Sequence, residues 1–209
     1  MATIVSNYDG PLFLVVAKTF YDKIAIGQSF QFPLPTEYYA AHFPLFPLLI
    51  KLFSFVGGYP YSMLFVTLAS SILALYFFNR LISQYVSKKN AYLLTFFFAV
   101  FPARWLVVRS VGSAEPLFIA STIASIYYFR NSKYLQAGLW GMIAQLTKST
   151  GITLFAAYLA YLIFPQLKRI ATSHFSKWYE ILNLKKTLAI HLIPLSLIAV
   201  FAFYGFRMG

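Results

Sequence analysis

The sequence predicts an all-α integral membrane protein with about six transmembrane helices, plus N-terminal interfacial helices. Three observations carry that prediction. Hydrophobic residues fill 60% of 209 positions and charged residues only 11%, with a mean hydropathy of +0.69. A soluble domain carries roughly a quarter charged residues, so lipid has to cover what water would not. The apolar residues also come in long runs; Pro60 to Asn79 contains no charge, enough to cross a core of ~30 Å. Finally, the Lys and Arg residues behind the net charge of +12 lie between these runs and form no single basic face. That placement sets membrane orientation and argues against a nucleic-acid partner. The absence of cysteine excludes disulfides, thiol nucleophiles and thiolate metal sites.

Residues 1–58 read as an outer-face loop and interfacial helices, and 59–209 as a transmembrane region with an inner loop at 166–186. The N-terminus lacks a basic lead before an apolar stretch, its first basic residue being Lys18, so it does not read as a signal peptide. From Pro11 to Ile26, Leu12, Val16, Phe20 and Ile24 recur at helical spacing, with Lys18 and Asp22 placed for an i,i+4 pair. A helix this short with a charged face is expected to lie flat at the membrane surface and to end at Gly27. Gln28 to Thr36, with two prolines, reads as a loop. His42 to Val56 reads as a second interfacial helix or half-span, closed by Gly57-Gly58. Spans follow at Pro60–Asn79, Ala91–Val108, Ser113–Phe129, Tyr134–Thr147, Gly151–Pro165 and Thr187–Phe206.

In this arrangement Arg80, Lys88, Lys89, Arg130, Lys133, Lys168, Arg169, Lys177, Lys185 and Lys186 fall on one side. The inter-span loops of the other side hold only Arg104, Arg109, Lys148 and Arg207, so the first side is expected to be cytoplasmic. Of the five acids, Asp9, Asp22, Glu37 and Glu115 share the outer side with those bases.

Asp9 has two readings: a general base that takes a proton from an acceptor hydroxyl, or a helix cap ahead of Gly10-Pro11. Glu115, beside Pro116 at the start of a span, either neutralises Arg109 or Arg104 or favours the positive end of its helix. Arg104, Arg109 and Lys148 suit the phosphates of a lipid donor, or equally the lipid headgroups at an interface. Thr147-Lys148-Ser149-Thr150-Gly151 is not a P-loop, since the upstream glycine and the strand-to-helix context are missing. His42, His174 and His191 show no ligand spacing; His42 shares the outer side with Asp9, and Tyr38 and Tyr39 are candidates to line a sugar site. The spacing calls for no cofactor and leaves a divalent metal as an open option.

Four segments, taken in order, give the chain a family likeness. These are Tyr8-Asp9 with Leu12 to Ala17; Ala41-His42-Phe43-Pro44-Leu45-Phe46-Pro47-Leu48; Ser113-Ala114-Glu115-Pro116-Leu117-Phe118; and Ala137-Gly138-Leu139 running to Leu146-Thr147-Lys148-Ser149-Thr150-Gly151. Together, over about Asn7 to Ile152, they resemble the polytopic sugar transferases of the GT-C fold, especially the PIG-V-like mannosyltransferases and their prokaryotic relatives. The resemblance implies inverting transfer of a sugar, mannose first, from a polyprenyl-phosphate donor to a glycan, glycolipid or protein acceptor. It makes Asp9 the base and places Lys148 where the family carries an arginine. It also implies a multi-pass protein of the cell membrane, or of the endoplasmic reticulum in a eukaryote. Family members carry a span before the Asp loop and further spans beyond the point corresponding to Gly209. The alternatives are therefore a fragment or non-catalytic subunit of a larger transferase, working with a partner, and a transporter of lipid-linked sugars.

Overall fold

The computed structural model describes residues 9–30, 34–55, 57–101, 103–172 and 188–209, and all regular structure among them is helical. Two of the helices are long and apolar enough to cross a membrane, Tyr59–Ile82 and Leu188–Met208. Of the other expected spans, Ala91–Val108 is interrupted, and Ser113–Phe129 and Tyr134–Thr147 fall on helices of 16 and 14 residues.

The N-terminal unit departs most from expectation. Pro11 presets the first turn of α1 (Gly10–Thr19). The helix then stops because Phe20 and Tyr21 both adopt left-handed backbone, with φ of 49° and 66°. Asp22 starts α2 (Lys23–Ser29) by accepting the Ala25 amide at 2.9 Å. The continuous helix over 11–26 is thus two helices, Gly27 lies inside the second, and the expected Lys18–Asp22 pair does not form. Nor does α1 lie at a surface. Leu12, Val15 and Val16 face one apolar cluster and Phe13 and Ala17 another, so α1 is wedged in the core. The helical spacing fails beyond the break, and Ile24 is left 71% exposed.

A 3-10 turn (Thr36–Ala41) then leads to α3 (Leu45–Phe53). Its two prolines, Pro44 and Pro47, sit at the cap and in the first turn, where a missing amide removes no intrahelical bond. Gly57 and Gly58, both with φ near +90°, turn the chain into α4 (Tyr59–Ile82). Helix α4 buries Met63, Val66, Thr67, Ser70, Ala74 and Phe77 at helical spacing, and leaves Phe65, Leu68, Ile72 and Tyr76 outward.

The expected span at Ala91–Val108 is broken: α5 (Lys88–Val100) ends at extended Phe101, and a short α6 (Ala103–Val108) follows. Proline at position 102 forbids the amide bond that would continue the helix. Helices α7 (Glu115–Arg130) and α8 (Tyr134–Thr147) form a hairpin through Ser132, whose φ is +59°. At 16 and 14 residues they reach only ~24 and ~21 Å. A 3-10 turn (Ser149–Gly151) leads to α9 (Ile152–Thr172), which carries helix through residues 166–172, where a loop was expected. The rest of that inner loop, with Lys177, Glu180, Lys185 and Lys186, lies outside the described residues. Helical residues 188–190 pass through a turn at His191 into α10 (Leu192–Met208), which completes the span-length run Leu188–Met208.

Helix α7 lies between α4 and α8, and α8 packs in turn against α10. Small residues allow that approach: a Cβ on Gly138 would collide with the Ala189 carbonyl, and one on Gly141 would meet Ile193 Cδ1 at 2.5 Å. Hydroxyls inside the bundle are mostly tied to backbone of their own helix, as in Thr67 to Met63, Ser71 to Thr67 and Ser121 to Leu117.

Candidate functional site

Asp9 occupies the N-cap position of α1, but not as a capping side chain. Its carbonyl accepts the Phe13 amide at 3.0 Å, while its carboxylate makes no capping bond and is exposed. The cap reading therefore accounts for the position and leaves the carboxylate unexplained.

One turn on, the Phe13 ring meets His42 edge-on, with centroids 4.9 Å apart. Tyr38 approaches the same imidazole at 5.8 Å, itself 44% exposed. Only 5% of His42 is exposed, and its Nδ1 is buried without a hydrogen-bond partner. Burial, the largest influence, pulls the imidazole below its ordinary pKa. The Asp9 carboxylate opposes this, and so does the backbone of Tyr39 and Tyr38, although neither carbonyl closes a hydrogen bond to Nδ1.

The His42 main chain is held as firmly as its ring. The buried Tyr21 hydroxyl donates to the His42 carbonyl, and the Tyr204 hydroxyl of α10 reaches the same oxygen at 3.4 Å. Burial lifts the Tyr21 phenol far above its usual pKa, so it remains a donor. Next to this, Arg207 pairs with Asp22 at 3.1 Å and donates from Nε to the Phe20 carbonyl at 3.2 Å. The left-handed Phe20-Tyr21 step is pinned from both directions.

A second charged group lies across the same apolar cluster, which joins Phe13 and Phe46 to Ala114 and Leu117. Lys148 donates to Glu115 Oε1 at 2.7 Å, linking the end of α8 to the start of α7. This corrects the expected neutralisation of Glu115 by Arg104 or Arg109. The loop between them is fixed by its own bonds: Ser113 accepts on its carbonyl from Thr67, donates its amide back to Thr67 Oγ1 at 3.1 Å, and donates Oγ to the Val108 carbonyl. Helix α6 turns Trp105 and Val108 inward, which leaves Arg104 exposed and Arg109 half-buried. Neither arginine forms an ion pair among the described residues. Of the expected phosphate-binding trio, only Lys148 lies in a polar contact with another candidate.

Gln145 was missed. It is fully buried on α8, with both amide atoms unpartnered, and its backbone lies within 2.5 Å of where a Gly151 Cβ would stand. An amide deep in an apolar run, Gln145 between Ala144 and Leu146, was the available signal. Tyr21, Tyr204 and Arg207 were missed as well, because a bond between residues 183 positions apart leaves no local trace. His191 lies elsewhere, its ring 5.2 Å from Phe155, and His174 is outside the described residues. An apolar cavity of about 570 Å³ opens where α3 meets α4, lined by Phe53, Phe55, Gly57, Tyr61, Ser62 and Phe65. No three metal-binding side chains gather among the described residues. No protein-family model matches the chain, and neither a curated protein nor a solved structure does.

Proposed function

We propose that the chain is a multi-pass membrane glycosyltransferase of GT-C type. It would move a sugar, mannose first among candidates, from a polyprenyl-phosphate donor to an acceptor hydroxyl, with Asp9 as the base. The observation that carries this reading is the exposed Asp9 carboxylate at the N-cap position, unengaged by its own helix. A carboxylate at neutral pH accepts a hydroxyl proton as that oxygen attacks the anomeric carbon with inversion. The bond from that carbon to the phosphate oxygen breaks, and its electron pair leaves with the phosphate.

Further support comes from three features. Lys148 offers a cation to the departing phosphate, with Glu115 fixing its direction. The apolar cavity between α3 and α4 suits isoprenoid units. Two span-length helices and the outward apolar faces of α4, α5 and α10 suit a bilayer. A transporter of the same lipid needs polar groups lining a path across the membrane. Thr67 and Ser71 of α4 and Ser121 of α7 are instead tied to backbone of their own helices, which favours the transferase.

The test is sugar transfer in proteoliposomes supplied with polyprenyl-phosphate mannose. Wild type transfers, and Asp9→Asn falls by at least about a hundredfold while still inserting and melting normally. Equal transfer by both proteins removes Asp9 from the chemistry.

A further inference from the structure

The end of the bundle remote from the N-terminal unit carries one sign of charge. Helices α4 and α7 run in the same direction, since Thr67 bonds to Ser113 near their starts and Arg80 to Tyr127 near their ends. Arg80 and Arg130 stand in the last turns of these helices, Lys88 and Lys89 open α5, and Lys133 occupies the N-cap position of α8. All five are exposed. The acids among the described residues lie elsewhere: Asp9, Asp22 and Glu37 in the N-terminal unit, and Glu115 at the opposite end of α7, ~22 Å from Arg130.

A cation in the last turn of a helix ordinarily answers unpaired carbonyls. Here those carbonyls are already engaged. The Ser83 amide and hydroxyl both donate to the Asn79 carbonyl, the Asn131 side chain donates to that of Tyr127 at 2.7 Å, and the Lys133 amide to that of Tyr128 at 2.9 Å. The guanidiniums cross between the helices instead. Arg80 of α4 donates Nη2 to the Tyr127 hydroxyl of α7 at 3.2 Å and lies 5.8 Å from that ring's centre. Arg130 of α7 lies 5.6 Å from the ring centre of Tyr85, in the turn after α4. Each helix lends its arginine to the other's tyrosine. Contact with a ring holds a guanidinium in place and leaves most of its N–H donors unused. Among the described residues no carboxylate takes them.

We propose that Arg80 and Arg130 bind the phosphate of an anionic phospholipid, in the leaflet facing away from Asp9, with Lys88, Lys89 and Lys133 drawing the headgroup in. The proposal rests on the bilayer reading above and not on sugar transfer. Helix α4 is long and apolar enough to cross a bilayer, which puts its last turn at headgroup level. Tyr76 and Tyr85, each 55% exposed, suit that depth, where rings with a polar tip settle. Ile72, one turn before Tyr76 and 69% exposed, continues an apolar face along which acyl chains can lie. Guanidinium forks match phosphate oxygens in pairs, whereas an ammonium is a point charge. That difference separates a built site from the general pull of a basic surface on anionic lipid.

The test is native mass spectrometry of the full chain, titrated in detergent with phosphatidylglycerol and with phosphatidylcholine. Wild type binds phosphatidylglycerol roughly tenfold more tightly than phosphatidylcholine. Arg80→Lys combined with Arg130→Lys keeps the net charge and loses most of that preference, and Arg130→Lys alone loses part of it. Lys88→Gln combined with Lys89→Gln removes two charges yet costs less than the double arginine exchange. Melting curves without added lipid confirm that each variant is folded, and Arg130→Lys decides the matter if the double exchange is not. Equal binding of the two lipids by wild type overturns the proposal, as does an unchanged preference in the folded arginine variants. A larger loss from the lysine pair overturns it too, because the attraction is then diffuse. Inorganic phosphate that raises the melting temperature as much as phosphatidylglycerol does overturns the lipid as occupant.

Discussion

Glu115 and Lys148 illustrate how a single contact reorders a candidate site. The sequence placed both on the outer side, but not against each other, because 33 intervening residues hide a contact made across a helix hairpin. Both side chains remain partly exposed, so solvent screening limits the pair to about 0.5–1 kcal/mol. A double-mutant cycle on Glu115→Gln and Lys148→Met, read by thermal unfolding in detergent, should return a coupling of that size; none would mean that the pair is ornamental. His42 makes a prediction of opposite character. Its imidazole is held below the ordinary value of 6.5, mainly by burial, so acid protonates the unfolded chain before the folded one. The unfolded state then binds more protons, and stability falls as pH drops below about 6.5, levelling off beneath the depressed native pKa. Melting curves of wild type against His42→Gln across that range should show a shallower acid loss in the variant.

At the scale of the helix, α8 depends on glycine where it meets the chain leading into α10. Gly138→Ala places a methyl group against the Ala189 carbonyl, so the two segments must separate, at a cost of about 1–3 kcal/mol. Gly205→Ala is the matched control, because nothing lies within 4 Å and the residue sits inside α10. It should be neutral or stabilising by up to about 1 kcal/mol. A comparable fall in melting temperature for both variants would refute the close-approach account. The same elements show what the sequence could convey. Pro60–Asn79 was legible because a long uncharged run, with glycines and proline at its head, admits few other structures. The break at Phe20-Tyr21 was not legible: aromatic residues rarely take positive φ, and the reasons for it, Arg207 and the His42 carbonyl, lie elsewhere in the chain. Burial of α1 was hidden in the same way, since Lys18 and Asp22 suggest a wet face until Arg207 claims Asp22. Asp9 and His42 were legible as residue types on a common side; their support was not.

Across the whole molecule, the C-terminal turn of α10 clasps the N-terminal unit through Arg207–Asp22, Arg207–Phe20 and Tyr204–His42. Arg207→Ala should therefore raise hydrogen exchange in α2 and around Tyr21, while amides of α7 and α8 keep their protection. Uniform deprotection would show that the clasp supports the entire bundle and not one corner of it. The clasp also imposes an order in time. His42 and Tyr204 are 162 positions apart. At ~5–20 residues per second, a ribosome needs roughly 8–30 s to travel from one to the other. Throughout that interval the nascent chain already contains Asp9, His42 and the left-handed aromatic pair, but not the tyrosine and arginine that brace them. The first residues synthesised are thus among the last to reach their final arrangement, and the young polypeptide stays open to chaperones and proteases until its closing helix arrives.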